Sequence, residues 1–474
     1  MENTKVYNQS KTWQLIMFAS LQAGSNMFMM AMNFSSYIAT GFYGVAVVLT
    51  SLLLTGTRIW DAITDPIVGF VVDRTQTKWG RFRPLLLIGY LTMTLSTLIM
   101  FFWGKGGIVT FTVCYVIYIV GYTLVNVTYK AAIPVMTNDP KQRPMIGRFQ
   151  AFFTVTLTTV FSIYMSKVIM ARYGGFTTPA LQELLLTGIA LSGVCYLLGI
   201  IALKDKDKPE IIANLSTSAQ PKLTDCLTTI KGNRPLQMVM IAAVTDKLAQ
   251  MISTNSSINI MLFGILIGNY TFNGMMSLYA YIPSLLFIIL ITGNARKLGS
   301  KKAVIAFSWI GIIITALSIV FMMSIDPTTI SVAAVPTAIF VLLTICRSSV
   351  IQANSAMTNV MIADCSDYEM YRTGKFMPGQ VATIFSFVDK LVSSFSTTIV
   401  GLVVATIGYT ATLPAVGDPS TKAIFWVTML LAYGTPMLGW ICSVIALRFY
   451  NLTPEKMAEV QKSNAELRAK SKKA

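Results

Sequence analysis

Two carboxylates, Asp61 and Asp65, stand one helical turn apart in an otherwise apolar stretch. Positions i and i+4 share a face of a helix, so the two groups point the same way. Such a pair can hold a hard cation such as Na⁺ through oxygen ligands, or share a proton. Arg58 lies one turn earlier, so a structural ion-pair network is the competing reading. Pro66 follows at once and removes a backbone donor from the helix. A second stripe, Thr123, Asn126 and Lys130, is spaced by three and then four residues and also falls on one face. A hydroxyl, an amide and an ammonium in line would border a watery cavity, or else bind one helix to another. Tyr122 beside them offers an aromatic face to a ring-shaped ligand. Asp246-Lys247 and Asp389-Lys390 are adjacent charge pairs. Neighbours on a helix point about 100° apart, so each pair needs partners on other helices.

The elements that must position these groups are membrane spans. The chain has 474 residues, of which 54% are hydrophobic and 12% charged, and its mean hydropathy is +0.63. Soluble domains carry about 25% charged residues, so a soluble enzyme of this size is excluded. Twelve apolar segments are expected, over about 13–41, 44–72, 84–104, 107–136, 147–172, 183–203, 235–266, 272–294, 302–325, 328–363, 377–408 and 424–448. Each reaches the roughly 20 residues that a spanning helix needs. The fold class is therefore an all-α membrane protein of twelve helices in two halves of six. The halves are expected at 1–203 and 235–449, with a linker at 204–234 and a basic tail at 450–474.

The formal charge of +17 comes from 37 basic and 20 acidic residues, with no histidine. Assigned to this topology, 28 bases fall on the side of the two termini and three (Lys105, Arg172 and Lys422) on the other. That bias orients both termini to the cytoplasm. The excess charge therefore marks topology rather than nucleic-acid binding. The polar start up to Ser10 and the length of the first apolar segment read as a retained first helix, not a cleaved signal. The six cysteines show no CxxC spacing, which leaves no zinc motif. No Walker-type or dinucleotide loop occurs. Pumping by this chain would have to run on an ion gradient, with no cofactor beyond the transported Na⁺ or H⁺.

The run from Arg58 through Asp61, Asp65, Pro66, Gly69, Asp73 and Arg74 to Trp79-Gly80-Arg81-Phe82-Arg83-Pro84 is long and specific. It resembles the glycoside–pentoside–hexuronide:cation symporter family, of which melibiose carriers are members, within the major facilitator superfamily. The stretch Ala363-Asp364 to Asp367-Tyr368-Glu369 and Gly374 is similar to that family's acidic loop motif, expected between helices 10 and 11. The resemblance covers essentially the whole chain. It implies the twelve-helix facilitator fold, coupled uptake of a sugar with Na⁺ or H⁺, and a multi-pass protein of a bacterial inner membrane.

By the same resemblance, Asp61 and Asp65 match the family's cation-binding carboxylates, and they would be the metal ligands if the ion is Na⁺. Thr123 matches the supporting hydroxyl, with Asn126 nearby. Lys390 matches a lysine near the cation and sugar. Arg148 matches a sugar-contacting arginine, although the topology count puts it in a loop. Asn26 and Asn126 stand where melibiose carriers have aspartates, and Lys130 stands where they have tryptophan. Ser355 replaces a helix 10 aromatic. Asn26, Tyr122, Asn126, Lys130, Arg148 and Lys390 are thus the candidate substrate residues. Asp73, Arg74, Arg81, Asp364 and Asp367 are the candidate gating residues. Carboxylates grip neutral hydroxyls by accepting charged hydrogen bonds. Two fewer carboxylates and one more ammonium favour an acidic sugar, a uronate or uronide. A neutral glycoside read by the amides is the alternative. An uncoupled or exporting carrier and a lipid or lysolipid carrier are the rival functions. The expected partners are a small sugar or glycoside and the bilayer, not nucleic acid. Absence of histidine removes the usual near-neutral titrating group, and hydroxyl and amide neighbours favour Na⁺ over H⁺.

Overall fold

The computed structural model describes residues 9–137, 142–208, 230, 232–276, 279, 283, 299–373 and 378–471. The expected eighth span at 272–294 and most of the 204–234 linker lie largely outside the described residues. The described chain is helical. It contains no strand, only an isolated bridge between Thr77 and Gly80. Nine of the described helical stretches are long and apolar enough to cross a membrane.

The first half of the chain forms α1 (Thr12–Met32), α2 (Ser35–Gly41), α3 (Val47–Arg74), α4 (Phe82–Phe102), α5 (Gly107–Met136), α6 (Arg143–Tyr164), α7 (Met170–Tyr173) and α8 (Thr178–Leu203). The second forms α9 (Arg234–Ser253), α10 (Ser256–Asn259), α11 (Ser300–Ser324), α12 (Ala334–Thr373), α13 (Pro378–Thr406), α14 (Lys422–Met429), α15 (Thr435–Arg448) and α16 (Pro454–Ser471). The helices sort into two compact units. One holds residues 1–218 with 404–416, and the other holds 219–403 with 417–474.

In the first unit α1 packs on α8 and α6, α4 on α5, and α3 on α5. The α4–α5 contact is close because Gly89 and Gly121 face each other. A Cβ at Gly89 would come within 2.6 Å of Val125, and one at Gly121 within 3.0 Å of the Gly89 carbonyl. Small residues at such crossings let helix backbones approach in a medium that gives helices no hydrophobic drive to associate. This contact fixes α5, which carries Thr123. In the second unit α9 packs on α15, and α11 on α12 and α15. Three short π-helical segments, Met165–Ile169, Ile260–Leu266 and Leu430–Gly434, interrupt the regular helix. At the last of these, Ala432 offers its carbonyl to Arg347 Nη1 at 2.9 Å, and the guanidinium lies over the Tyr433 ring.

Two expectations of element type change. Arg148 lies inside α6 and not in a loop. The acidic motif from Ala363 is not an interhelical loop either, because α12 runs unbroken for 40 residues to Thr373. No glycine or proline interrupts 363–373. Along it Arg372 Nη2 pairs with Glu369 Oε1 at 2.7 Å.

Candidate functional site

A carboxylate corner is built from α3 and α5. Asp61 and Asp65 both lie half-buried on α3. Thr123 on α5 is 2% exposed, and its hydroxyl donates to Asp61 Oδ1 at 2.5 Å. Thr64 turns its hydroxyl back onto the Asp61 carbonyl at 3.0 Å, bracing the helix at that turn. The corner therefore combines two carboxylates one turn apart with a buried hydroxyl between helices. These are hard oxygen donors, the set that suits Na⁺ or a shared proton.

The amides lie beside this corner. Asn126 is not bonded to Asp61. Its Nδ2 donates to the Tyr122 carbonyl at 2.8 Å, and its Oδ1 accepts from Gln22 Nε2 on α1 at 3.3 Å. Asn26 Nδ2 reaches Thr154 Oγ1 on α6 at 3.4 Å. Tyr122 sits against the Met29 sulfur at 3.7 Å and near the Tyr118 ring. Tyr129 donates to Gln150 Oε1 at 3.0 Å while its ring stacks on Phe18. α1, α5 and α6 thus share a polar seam. Lys130 and Arg148 are both exposed. Gln22, Gln150 and Thr154 belong to this seam and were not singled out from sequence. The available signal was a single polar residue in an apolar helix, which is weak on its own. Lys390 lies on α13 in the other unit, next to Asp389.

Comparison with known proteins decides the class. Residues 17–454 match the family described as MFS/sugar transport protein. The chain belongs to this family. It is a membrane carrier of the major facilitator type, not an enzyme. A glucuronide carrier protein homolog from Escherichia coli (strain K12) is 27% identical over 96% of this chain and 95% of its own. An inner membrane symporter from the same organism is 23% identical over 92% and 90%. Among solved structures, the nucleoside transporter NupG superposes with a TM-score of 0.57 at 14% identity, over 92% of this chain and all of that one. That likeness carries the fold alone.

In this MFS/sugar transport protein the motif after α3 is held by a residue far along the chain. Asp207, 2% exposed, lies just past the end of α8. Its carboxylate accepts the backbone N–H groups of Arg81, Phe82 and Arg83 at 2.7, 2.9 and 2.9 Å. Arg83 Nε adds an ion pair at 3.6 Å. These N–H groups open α4, whose first turn has no internal acceptors. Gly80 has φ of 102°, and a Cβ there would lie 2.3 Å from Asp207, so the turn requires glycine. Lys206 Nζ donates to the Gln9 carbonyl at 2.6 Å, and burial pulls its ammonium below the ordinary value. Of the expected gating residues, Arg81 Nε donates to the Thr75 carbonyl at 3.2 Å and Arg74 lies over the Phe70 ring. The side chain of Asp73 lies outside the described residues.

The second unit carries a comparable knot. Glu369, 2% exposed, accepts from Asn233 Nδ2 at 3.0 Å and from Arg372. Asn233 in turn caps α9, accepting the Leu236 N–H at 3.0 Å. Asp364 and Asp367 lie half-buried on the same end of α12. The Asp367 carbonyl accepts from Asn464 of α16 at 2.8 Å. Lys456 and Tyr371 both donate to Glu459. Those bonds, from Lys456 first and Tyr371 second, hold the Glu459 carboxyl below its usual range.

Proposed function

We propose that this chain is a secondary active symporter that couples sugar or glycoside uptake to Na⁺ or H⁺, with Asp61, Asp65 and Thr123 as the cation site. The observation that carries the reading is the 2.5 Å hydrogen bond from Thr123 to Asp61, made across two packed helices beside a second carboxylate. Carboxylates inside spanning helices are expensive and are retained for function. Binding of a cation neutralises them and lowers the cost of closing the site. By linkage, sugar raises cation affinity by the same factor. Residence in a bacterial inner membrane with both termini cytoplasmic is part of the proposal, supported by the 28 to 3 split of basic residues. The ion is Na⁺ in this reading, because the hydroxyl completes an oxygen set.

The substrate is an acidic sugar, with Lys130 or Arg148 on its carboxylate. Support comes from the amides Asn26 and Asn126 in the seam, which bind hydroxyls without repelling an anion. A relative named as a glucuronide carrier homolog agrees with this reading. The test uses purified protein in vesicles. Asp61→Asn and Asp65→Asn each abolish uphill accumulation while leaving binding or exchange, and full gradient-driven uptake in both variants would refute the cation role. Glucuronides compete better than matching glucosides, and Lys130→Gln erases that preference. A preference for the neutral sugar that Lys130→Gln leaves unchanged would remove the acidic-sugar reading.

A further inference from the structure

The chain leaves the second unit after Val403 and rejoins it at Gly417, so residues 404–416 belong to the first unit. Past the end of α13 at Thr406 this segment is not helical. It is docked on the corner where α2 leads into α3. Val47, the first residue of α3, donates its N–H to the Thr410 carbonyl at 3.0 Å. That N–H is one of those a helix cannot satisfy internally. Tyr37 of α2 donates its hydroxyl to the Pro414 carbonyl at 2.9 Å. Leu413 and Pro414 are buried, whereas Thr410, Ala411, Thr412 and Ala415 are exposed. The first half of the chain holds Tyr37 in place for this contact. Its ring lies 6.2 Å from that of Phe34 and 5.8 Å from that of Phe176, and those two rings stack at 4.6 Å.

Both ends of the segment are glycines in the left-handed region, Gly408 at φ 103° and Gly417 at φ 93°. Glycine crosses regions of φ that are closed to other residues, so each end can serve as a pivot. The hold between them is modest, because a single hydrogen bond shifts an equilibrium by only about two- to tenfold. The segment grips α2 and the start of α3, and α3 carries Asp61 and Asp65. Its own ends are continuous with α13, which carries Asp389 and Lys390, and with α14. In a carrier that works by rocking one half against the other, a strap of this kind must turn at its pivots and let go. We propose that residues 408–417 are a latch that docks on the α2–α3 corner and releases once in each transport cycle. The proposal rests on the reading of the chain as a sugar carrier, and not on which ion or sugar it moves.

The test uses the full-length chain in two arms. In the first, a maleimide labels Leu413→Cys in the purified protein, with the wild type reporting on native thiols. Labelling of a buried thiol tracks the population in which its segment has opened. Adding Tyr37→Phe removes one bond of the dock and raises the labelling rate about two- to tenfold. A rate that Tyr37→Phe leaves unchanged would overturn the proposal. In the second arm Ala46→Cys and Thr410→Cys, both exposed positions beside the Val47 bond, are joined by a short bis-methanethiosulfonate that reductant removes. The bridge stops exchange of labelled methyl β-D-glucuronide and methyl β-D-glucopyranoside across vesicles, and reductant restores it. Calorimetric affinity for the glycosides stays within about twofold throughout. Exchange that continues with the bridge in place would overturn the latch. Loss of affinity together with exchange would overturn it too, since the strap would then support the fold of the site. An untreated wild type that exchanges neither glycoside would overturn the sugar reading alone, and the latch would then stand or fall by the labelling ratio.

Discussion

Replacing Asp207 by alanine should loosen the start of α4. The carboxylate is fully buried and carries an ion pair to Arg83 as well as three backbone hydrogen bonds. Loss of a helix cap alone costs about 0.5–2 kcal/mol, and breaking a buried charge pair costs about 3–5 kcal/mol. The two terms share one carboxylate, so they do not add. The Arg83 partner is 22% exposed, which lets water recover part of the loss. About 3 kcal/mol is the expected cost of Asp207→Ala, within the lower part of that range. For a unit of about this size each kcal/mol lowers Tm by about 2–4 °C, so a fall of about 6–12 °C is expected. Asp207→Asn keeps an acceptor and loses only the charge, and should cost about 1–2 kcal/mol. The assay is thermal unfolding of the detergent-solubilised chain, paired with hydrogen exchange at the amides of Arg81, Phe82 and Arg83. A Tm within about 1 °C of wild type, with no faster exchange at those three amides, would show that Asp207 does not hold α4.

Two further predictions concern the second unit. Glu369→Ala frees Asn233 and Arg372 and should cost about 1–2 kcal/mol, discounted because the Arg372 side chain is 35% exposed. It should appear as faster exchange of the Leu236 amide, and unchanged exchange there would discard the link. The contact of α16 with α12 should also weaken in acid. The Glu459 carboxyl is depressed in the folded chain, so its contribution is present above its ordinary value of 4.5 and is lost as pH falls below it. Limited proteolysis of α16 across that range reads the effect, and cleavage independent of pH would contradict it.

The sequence was legible where a single physical quantity decides. Hydropathy and length place α5 at Gly107–Met136, the range expected from the sequence. The i, i+4 spacing of Asp61 and Asp65 also marked a corner that the structure completes with Thr123. Legibility failed where partners are distant backbone groups. Asp207 reads as one more charge in a Lys-Asp linker, because its partners are amides more than a hundred residues earlier, and nothing in its own neighbourhood announces them. The acidic motif reads as a loop because charged runs usually are, yet Glu369 and Arg372 pair three residues apart and keep α12 helical. Asn126 is a further case. Its spacing gives its face, but only packing against α1 turns its amide to Gln22 rather than to Asp61.

The unbroken length of α12 has a mechanical consequence. Forty residues at 1.5 Å each make a rod of about 60 Å, twice the roughly 30 Å of bilayer hydrocarbon. Half of it must therefore project beyond the lipid, and the projecting end is where α16 is attached. A tilt of about 10° of a rod this long sweeps its tip through about 10 Å. A pair of spectroscopic labels, one on α16 and one fixed outside the membrane, would thus act as an amplified gauge of angular movement within the bilayer.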